Sequence, residues 1–274
     1  MPEGEPSERV LSIDQVTVSF GGIVALDAVS FDVHRGEVLG IIGPNGAGKT
    51  TLFNVICGFV AAQSGTLSWR GEPLRRISPH RLAALGIART LQGLGLFPGL
   101  TVRENVMVGA QRFRRAGAVS GLLGLPRSDA DERALRDRAQ AALERVNCAD
   151  VADRLPPTLP YAVQKRVALA RALVSEPELL LLDEPAGGLD ADELSDLAAT
   201  INSLGSEIAV VLVDHHMDLV TSVCDRMVVL DFGRVIAAGG PEEIRHDPHV
   251  LEAYLGRAAD PAQTPAVTRP AQAG

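Results

Sequence analysis

The strongest constraint on this chain is a glycine-rich loop that ends in a lysine and two threonines. Its residues are Gly43, Pro44, Asn45, Gly46, Ala47, Gly48, Lys49, Thr50 and Thr51. An apolar, strand-like run (37–42) precedes the loop, and a helix-like run follows it. Glycines let successive main-chain N–H groups point at phosphate oxygens, and the helix adds the positive end of its dipole. The loop therefore predicts a nucleoside triphosphate site, with Lys49 on the β- and γ-phosphates and Thr50 as a Mg²⁺ ligand.

A second nucleotide element lies 130 residues further on. Four consecutive leucines, 179–182, predict a strand that is buried on both faces, and Asp183 and Glu184 follow it directly. Asp183 is placed to hold Mg²⁺ through water, and Glu184 could activate the attacking water as general base. A buried strand that ends in acids by chance is the alternative, and the presence of the phosphate loop argues against it.

Composition restricts the class of protein. The chain has 274 residues, 46% of them hydrophobic, which suits one large α/β domain or one with an inserted lobe. A net charge of −8 argues against nucleic acid as a partner. Three scattered cysteines, Cys57, Cys148 and Cys224, are typical of reduced cytosolic thiols, and the apolar runs are too short to span a membrane.

The pattern changes twice along the chain. Strand-like and loop signals dominate residues 10–91 and 174–256, whereas 92–173 is helix-prone. The predicted fold is α/β: a P-loop NTPase core, an antiparallel N-terminal β subdomain and an inserted helical subdomain. Residues 1–9 are expected to form a disordered leader, and residues 257–274 a disordered tail.

From about 11 to 256, these elements resemble the ATP-binding subunits of ABC transporters. The resemblance implies that Phe20 stacks on adenine, that Gln92 senses Mg²⁺ and the membrane partner, and that His215 contacts the γ-phosphate. His216 is the neighbouring alternative to His215. By the same resemblance, residues 186–190 form the loop that communicates across a dimer. Taken singly, Phe20 could be a core residue and His215 could merely cap a strand end.

The family's most diagnostic motif, Leu-Ser-Gly-Gly-Gln, is altered in this chain. After a leucine, the aligned residues are Pro160, Tyr161, Ala162, Val163 and Gln164; we call them the signature segment. In the family this segment lies on the γ-phosphate of the opposite subunit. Pro160 removes a hydroxyl and a main-chain N–H, and Ala162 adds a Cβ near the phosphate. Either the subunit relies on its remaining N–H groups, or it is the weaker half of a heterodimer.

Residues 241–256 are similar to the end of ATPases that serve branched-chain amino acid importers, and 86–106 is similar to that branch as well. The resemblance implies ATP hydrolysis that powers uptake of branched-chain or other hydrophobic amino acids. It also implies permease subunits, a second ATPase (a heterodimer, with a homodimer as the alternative) and an extracytoplasmic solute-binding protein. The subunit is then expected in the cytoplasm, peripheral on the inner face of the cell membrane.

Three other functions remain as alternatives. The ATPase of a lipid or lipopolysaccharide exporter would share nearly every motif. An ATP-gated regulatory subunit with weak hydrolysis would suit the altered signature segment, but Asp183, Glu184 and His215 are all present. An ABC ATPase acting on ribosomes or DNA usually has two such domains or a long coiled-coil insertion, and the sequence has neither.

Overall fold

The computed structural model describes residues 8–74, 78–90, 93–113 and 126–258, the last range without the side chains of 126–129 and 255–258. Gln92 lies outside the described residues, as do 1–7 and 259–274, which make up most of the predicted leader and tail. The first strand begins at Arg9 and the last helix ends at Ala258, so these two elements include residues that the sequence analysis assigned to the leader and the tail.

The described residues form both strands and helices. The strands are β1 Arg9–Phe20, β2 Ile23–His34, β3 Val38–Ile42, β4 Ser64–Trp69, β5 Glu72–Pro73, β6 Ile87–Arg89, β7 Leu179–Asp183, β8 Ala209–Val213, β9 Arg226–Asp231 and β10 Arg234–Gly239. The helices are α1 Lys49–Ile56, α2 Leu82–Leu85, α3 Val102–Gly109, α4 Pro126–Arg145, α5 Tyr161–Leu173, α6 Ala191–Gly205, α7 Met217–Val223, α8 Pro241–His246 and α9 Pro248–Ala258. Short 3₁₀ turns lie at Pro79–Arg81, Gln111–Phe113, Ala149–Val151 and Pro156–Thr158.

Two sheets form the framework. The first has the order β2-β1-β4-β5 and is antiparallel throughout. The second has the order β10-β9-β3-β8-β7-β6, with every neighbouring pair parallel except β10 with β9. All five residues of β3, β7 and β8 are buried, which explains why these strands are apolar runs rather than alternating patterns. The α/β fold class predicted from the sequence is confirmed.

Helices α3, α4 and α5 follow β6 in the chain and precede β7, and they share one apolar core with one face of the larger sheet. Thr101 begins α3 with a capping box to Glu104, and hydrogen bonds from Thr101 lower the pKa of the Glu104 carboxyl. The buried Asn105 amide donates to the carbonyls of Phe97, Leu100 and Thr101. This side chain therefore shapes the loop that leads into the helical region.

Within the described residues, none of the helices combines the length and apolar character that a membrane crossing requires.

Candidate functional site

The carboxyl ends of three buried parallel strands bring the phosphate loop, residues 183–184 and His215 to one edge of the larger sheet. In the strand register, Val213 of β8 pairs with Ile41 of β3 on one side and with Asp183 of β7 on the other. Adjacent strands lie about 4.8 Å apart, so Asp183 stands roughly 10 Å from the strand that leads into the phosphate loop. Open α/β sheets bind ligands at this edge.

In this structure the lysine of the phosphate loop forms hydrogen bonds with main-chain carbonyls of the same loop. The Lys49 ammonium donates to the carbonyl oxygens of Gly43 at 2.6 Å and Pro44 at 2.9 Å. Gly43 needs to be glycine, because its φ is 146° and a Cβ would lie 2.0 Å from the carbonyl oxygen of Leu230. Lys49 therefore sits in a cradle of carbonyl dipoles, from which its ammonium can move to an anion.

Helix α1 begins where the loop ends. Gly48 occupies the N-cap with φ 106°, and it offers no side chain to the N–H groups of the first turn, Lys49 to Thr51. A Cβ at Gly48 would lie 2.5 Å from the carbonyl oxygen of Ala25. Uncapped N–H groups at the positive end of a helix favour an anion such as a phosphate.

Asp183 is paired with a partly buried arginine. The Asp183 carboxylate accepts a hydrogen bond from Arg89 at 2.7 Å, and the two side chains are 7% and 14% exposed. Arg89 also donates to the Asn54 side chain of α1 at 2.9 Å. Burial alone would lower the pKa of Arg89. The hydrogen bond to Asp183, together with the charge of Asp183 and the interaction with Cys57, outweighs burial, and the pKa of Arg89 is raised. Arg89 thus links the phosphate-loop helix to the predicted Mg²⁺ ligand.

Glu184 has an unusual backbone. Its φ is +48°, in the left-handed region that few residues other than glycine adopt. The Glu184 N–H donates to the Val213 carbonyl at 2.7 Å, which holds the residue beside the end of β8. Such outliers persist only where surrounding contacts fix them, and they are frequent at active sites.

The Asp214 carboxylate forms hydrogen bonds with main-chain groups on both sides of it, at the carboxyl end of β8 and in the turn after Glu184. One of its buried carboxylate oxygens accepts the N–H groups of His215 at 2.7 Å and His216 at 2.9 Å, and lies 2.8 Å from Nδ1 of His216. Its other oxygen accepts the N–H of Ala186 at 2.8 Å. The His215 side chain is 60% exposed, whereas that of His216 is 35% exposed and is held by Asp214. Nδ1 of His215 also lies 3.7 Å from the first of these oxygens, and His215 is the more exposed of the two histidines.

Two further aromatic side chains, Phe20 and Tyr254, concern the nucleotide site. Phe20 ends β1 and is 51% exposed, so it is not a core residue. Burial raises the pKa of the Tyr254 phenol in α9, and an interaction with the main chain of Gly43 lowers it in part. Helix α9 therefore reaches the first glycine of the phosphate loop.

The signature segment forms the start of α5. Pro160 is the N-cap residue, with φ −55° and ψ 152°, and its carbonyl accepts the N–H of Gln164 at 3.1 Å. Tyr161 is exposed, while Ala162 and Val163 are partly buried. The Gln164 amide donates to the Leu159 carbonyl at 2.9 Å, so it braces the turn within its own subunit.

Arg89 and Asp214 are site residues that sequence reasoning missed. Asp214 carried a usable signal, because it follows the buried strand β8 in the same way that Asp183 ends β7. Arg89 carried a weaker signal, a cation at the end of a short, partly buried strand. Neither signal identifies a partner, since the contacts join residues up to 94 positions apart.

Comparison with known proteins identifies the family of this chain. The ABC transporter family model matches residues 26–187, and a model described as branched-chain amino acid ATP-binding cassette transporter matches residues 234–260. The chain belongs to the ABC transporter ATP-binding family. It is accordingly an ABC-type ATPase, a nucleotide-binding subunit of a membrane transporter.

Individual relatives cover nearly the whole chain. The high-affinity branched-chain amino acid transport ATP-binding protein BraF of Pseudomonas aeruginosa is 39% identical over 92% of this chain and all of the relative. The lipopolysaccharide export system ATP-binding protein LptB of Haemophilus influenzae is 32% identical, over 90% of this chain and 97% of the relative. The ADP conformation of MJ1267, an ATP-binding cassette of an ABC transporter, is 31% identical with a TM-score of 0.78, over 90% of this chain and 99% of that structure.

Proposed function

We propose that this ATPase powers the uptake of branched-chain or other hydrophobic amino acids through a membrane permease. The observation that carries the proposal is the match of residues 234–260 to the branched-chain amino acid cassette model. The 39% identity to BraF supports the same assignment. The exporter alternative has the weaker support of 32% identity to LptB.

ATP is the substrate, and we assign its contacts to the loop edge. Phe20 supplies an exposed aromatic face for adenine, and the N–H groups of the loop and of the first turn of α1 receive the phosphates. Lys49 leaves its carbonyl cradle for the β- and γ-phosphates, and His215 contacts the γ-phosphate. Glu184 orients and deprotonates the attacking water.

The residues at this edge also fit Mg²⁺. The Thr50 hydroxyl and the Asp183 carboxylate are the hard oxygen donors that Mg²⁺ prefers, and Asp183 is held in place by Arg89. Gln92 is proposed as a further contact. When bound, Mg²⁺ neutralises charge on the phosphates.

Substitution of Glu184 by glutamine tests the hydrolytic assignment. The variant should still bind ATP, while kcat should fall at least about 100-fold because an amide cannot act as base. Glu207→Gln, which alters an exposed pair with Arg145, is the matched control and should retain the wild-type rate. Hydrolysis by Glu184→Gln at the control rate would refute the assignment of Glu184 as general base.

We further propose that the subunit pairs with a different ATPase, since its own signature segment lacks the serine and both glycines. Light scattering of Glu184→Gln with ATP and Mg²⁺ tests this. A monomer that binds ATP supports the heterodimer, and a doubling of mass would replace it with a homodimer.

Identifying the transported solute requires an assay on the assembled transporter, with this subunit on the inner face of the membrane. We expect an extracytoplasmic binding protein loaded with leucine, isoleucine or valine to stimulate ATP hydrolysis. Stimulation by a lipopolysaccharide exporter permease instead would favour the export alternative.

A further inference from the structure

The two lysines of this chain have an unusual distribution. Its 26 basic residues comprise 24 arginines and two lysines, Lys49 and Lys165. Lys49 belongs to the phosphate loop, and Lys165 lies in α5, directly after the signature segment. An ammonium is a compact charge with three rotatable donors, whereas a guanidinium is a broad planar fork. Lys165 is thus a lysine outside the phosphate loop in a chain whose other basic residues, apart from Lys49, are arginines.

Lys165 reaches across from α5 to the residues around the general base. Its Nζ donates to the Pro185 carbonyl at 2.6 Å and lies 5.4 Å from the centre of the Tyr161 ring. Burial lowers the pKa of Lys165, and the carboxylates of Asp214 and Glu184 partly restore it. The ammonium is therefore close enough to both carboxylates to interact with them.

Among the contacts of the turn at Glu184, three hydrogen bonds join it to neighbouring elements. The Glu184 N–H is bound by the Val213 carbonyl, and the Ala186 N–H by Asp214, so two anchors come from the end of β8. The third anchor, the bond from Lys165 to the Pro185 carbonyl, comes from α5. The Pro185 carbonyl belongs to the residue directly after Glu184, so this bond restrains the main chain from which the Glu184 side chain projects. Glu184 itself has a left-handed φ, a conformation that persists only where surrounding contacts fix it.

A cavity of about 270 Å³ lies between α5, α6 and this turn. Val163, Leu169, Leu189 and Leu197 are among its apolar lining residues, and Lys165 lies in its wall. The space leaves α5 incompletely packed against the turn at this point. A directional hydrogen bond can thus relate the position of the helix to that of the turn.

We propose that Lys165 is a positioning residue for ATP hydrolysis: its ammonium fixes the Pro185 carbonyl and thereby the direction of Glu184. The proposal rests on the proposed role of Glu184 as general base. Because α5 begins with the signature segment, a shift of α5 on the partner's ATP changes the anchor of Glu184 in its own subunit. Lys165 then connects the two nucleotide sites of a dimer through one helix.

Lys165→Met in the assembled transporter tests the role, because methionine keeps much of the stem and removes the ammonium. We expect kcat to fall roughly 10- to 100-fold, as for a misplaced catalytic group, with the Kd for ATP unchanged within about twofold. Arg154→Met is the matched control: Arg154 donates to a main-chain carbonyl, that of Thr158, without touching Glu184 or Pro185. A wild-type kcat for Lys165→Met, or a loss confined to ATP binding, would overturn the proposal.

Chemical rescue separates the charge from the packing. Lys165→Cys treated with 2-bromoethylamine regains an ammonium at nearly the same reach, and kcat should return. The native thiols Cys57, Cys148 and Cys224 are buried with raised pKa values, so they should react slowly. Equal recovery with neutral iodoacetamide would refute a role for the ammonium.

Glu184→Gln, measured alongside, distinguishes the two proposals. Full activity of Glu184→Gln refutes the assignment of the base. Loss of activity there, combined with a normal kcat in Lys165→Met, refutes only the positioning role.

Discussion

Replacement of Asp214 by asparagine should lower both the free energy of unfolding and kcat. The losses should be much larger than those for the same replacement at an exposed carboxylate. The Asp214 side chain is 0% exposed, and its two oxygens serve three main-chain donors and an imidazole. The donors are the N–H groups of Ala186, His215 and His216, at 2.8, 2.7 and 2.9 Å, with Nδ1 of His216 at 2.8 Å. One carboxylate thus joins the turn after Glu184 to the predicted γ-phosphate contact.

The expected loss follows from this geometry. An asparagine amide has a single acceptor oxygen, so in either orientation its NH₂ group faces at least one buried N–H of Ala186 or His215. A charge-assisted hydrogen bond contributes about 1.5–3 kcal/mol, and a buried donor without an acceptor costs about 1–3 kcal/mol. We therefore expect the free energy of unfolding to fall by about 3 kcal/mol, and kcat to fall with it because His215 and Ala186 lose their common anchor.

Urea unfolding and steady-state ATPase assays measure the two effects. Asp218→Asn is the matched control, since Asp218 is an exposed acid in the first turn of α7 and should contribute only a few tenths of a kcal/mol. If Asp214→Asn unfolds within about 0.5 kcal/mol of Asp218→Asn, the buried carboxylate does not hold the edge together and the reasoning fails.

Two further predictions concern the phosphate loop and the thiols. Gly43→Ala should abolish ATP binding and destabilise the fold, because its Cβ would meet a carbonyl oxygen at 2.0 Å, whereas Gly46→Ala meets no atom within 4 Å and should cost about 1–2 kcal/mol. Calorimetry and urea unfolding compare the two, and equal losses would contradict the steric argument. Burial raises the pKa of Cys57 and Cys148, and that of Cys224 to about 12, so a thiol reagent at pH 8 should find all three thiols only after unfolding. Three thiols that react fast in the folded protein would refute the burial argument. Above pH 9 the thiols of the unfolded chain ionise while Cys224 in the folded chain does not, so the free energy of unfolding should fall as the pH rises toward 12.

Much of the framework was predictable because its signals are local. Buried strands such as β3, β7 and β8 appear as short apolar runs, and the glycines of the phosphate loop are required by the backbone itself. The order of the strands is not local information. That β8 lies between β3 and β7, and so places Val213 between Ile41 and Asp183, depends on two pairings. Residues 41 and 213 pair although 172 positions separate them, whereas residues 183 and 213 are 30 positions apart.

The contacts that hold the site residues in place could not be predicted from the sequence, because they also join residues that are distant along the chain. Arg89 precedes Asp183 by 94 residues, and nothing in either neighbourhood indicates that they meet. Lys165 donates to a main-chain carbonyl, and carbonyls are present at every position, so no pattern of residue types could single out Pro185. Sequence patterns identify groups that act chemically, whereas residues that hold those groups in place are recognised from geometry.

The altered signature segment takes on a clearer meaning from its position at the start of α5. Pro160 is the N-cap, so the proline removes a hydroxyl and its own N–H, while the first-turn N–H groups that begin at Tyr161 retain no side-chain cap. The dipole of α5 therefore still favours a phosphate, but with fewer donors and with an exposed tyrosine ring nearby. Asp183, Glu184 and His215 would act on the ATP of this subunit, whereas the signature segment would act on that of its partner. In a heterodimer, the weaker signature would then slow hydrolysis in the partner's site, and the rate at this subunit's own loop would depend on the signature that the partner supplies.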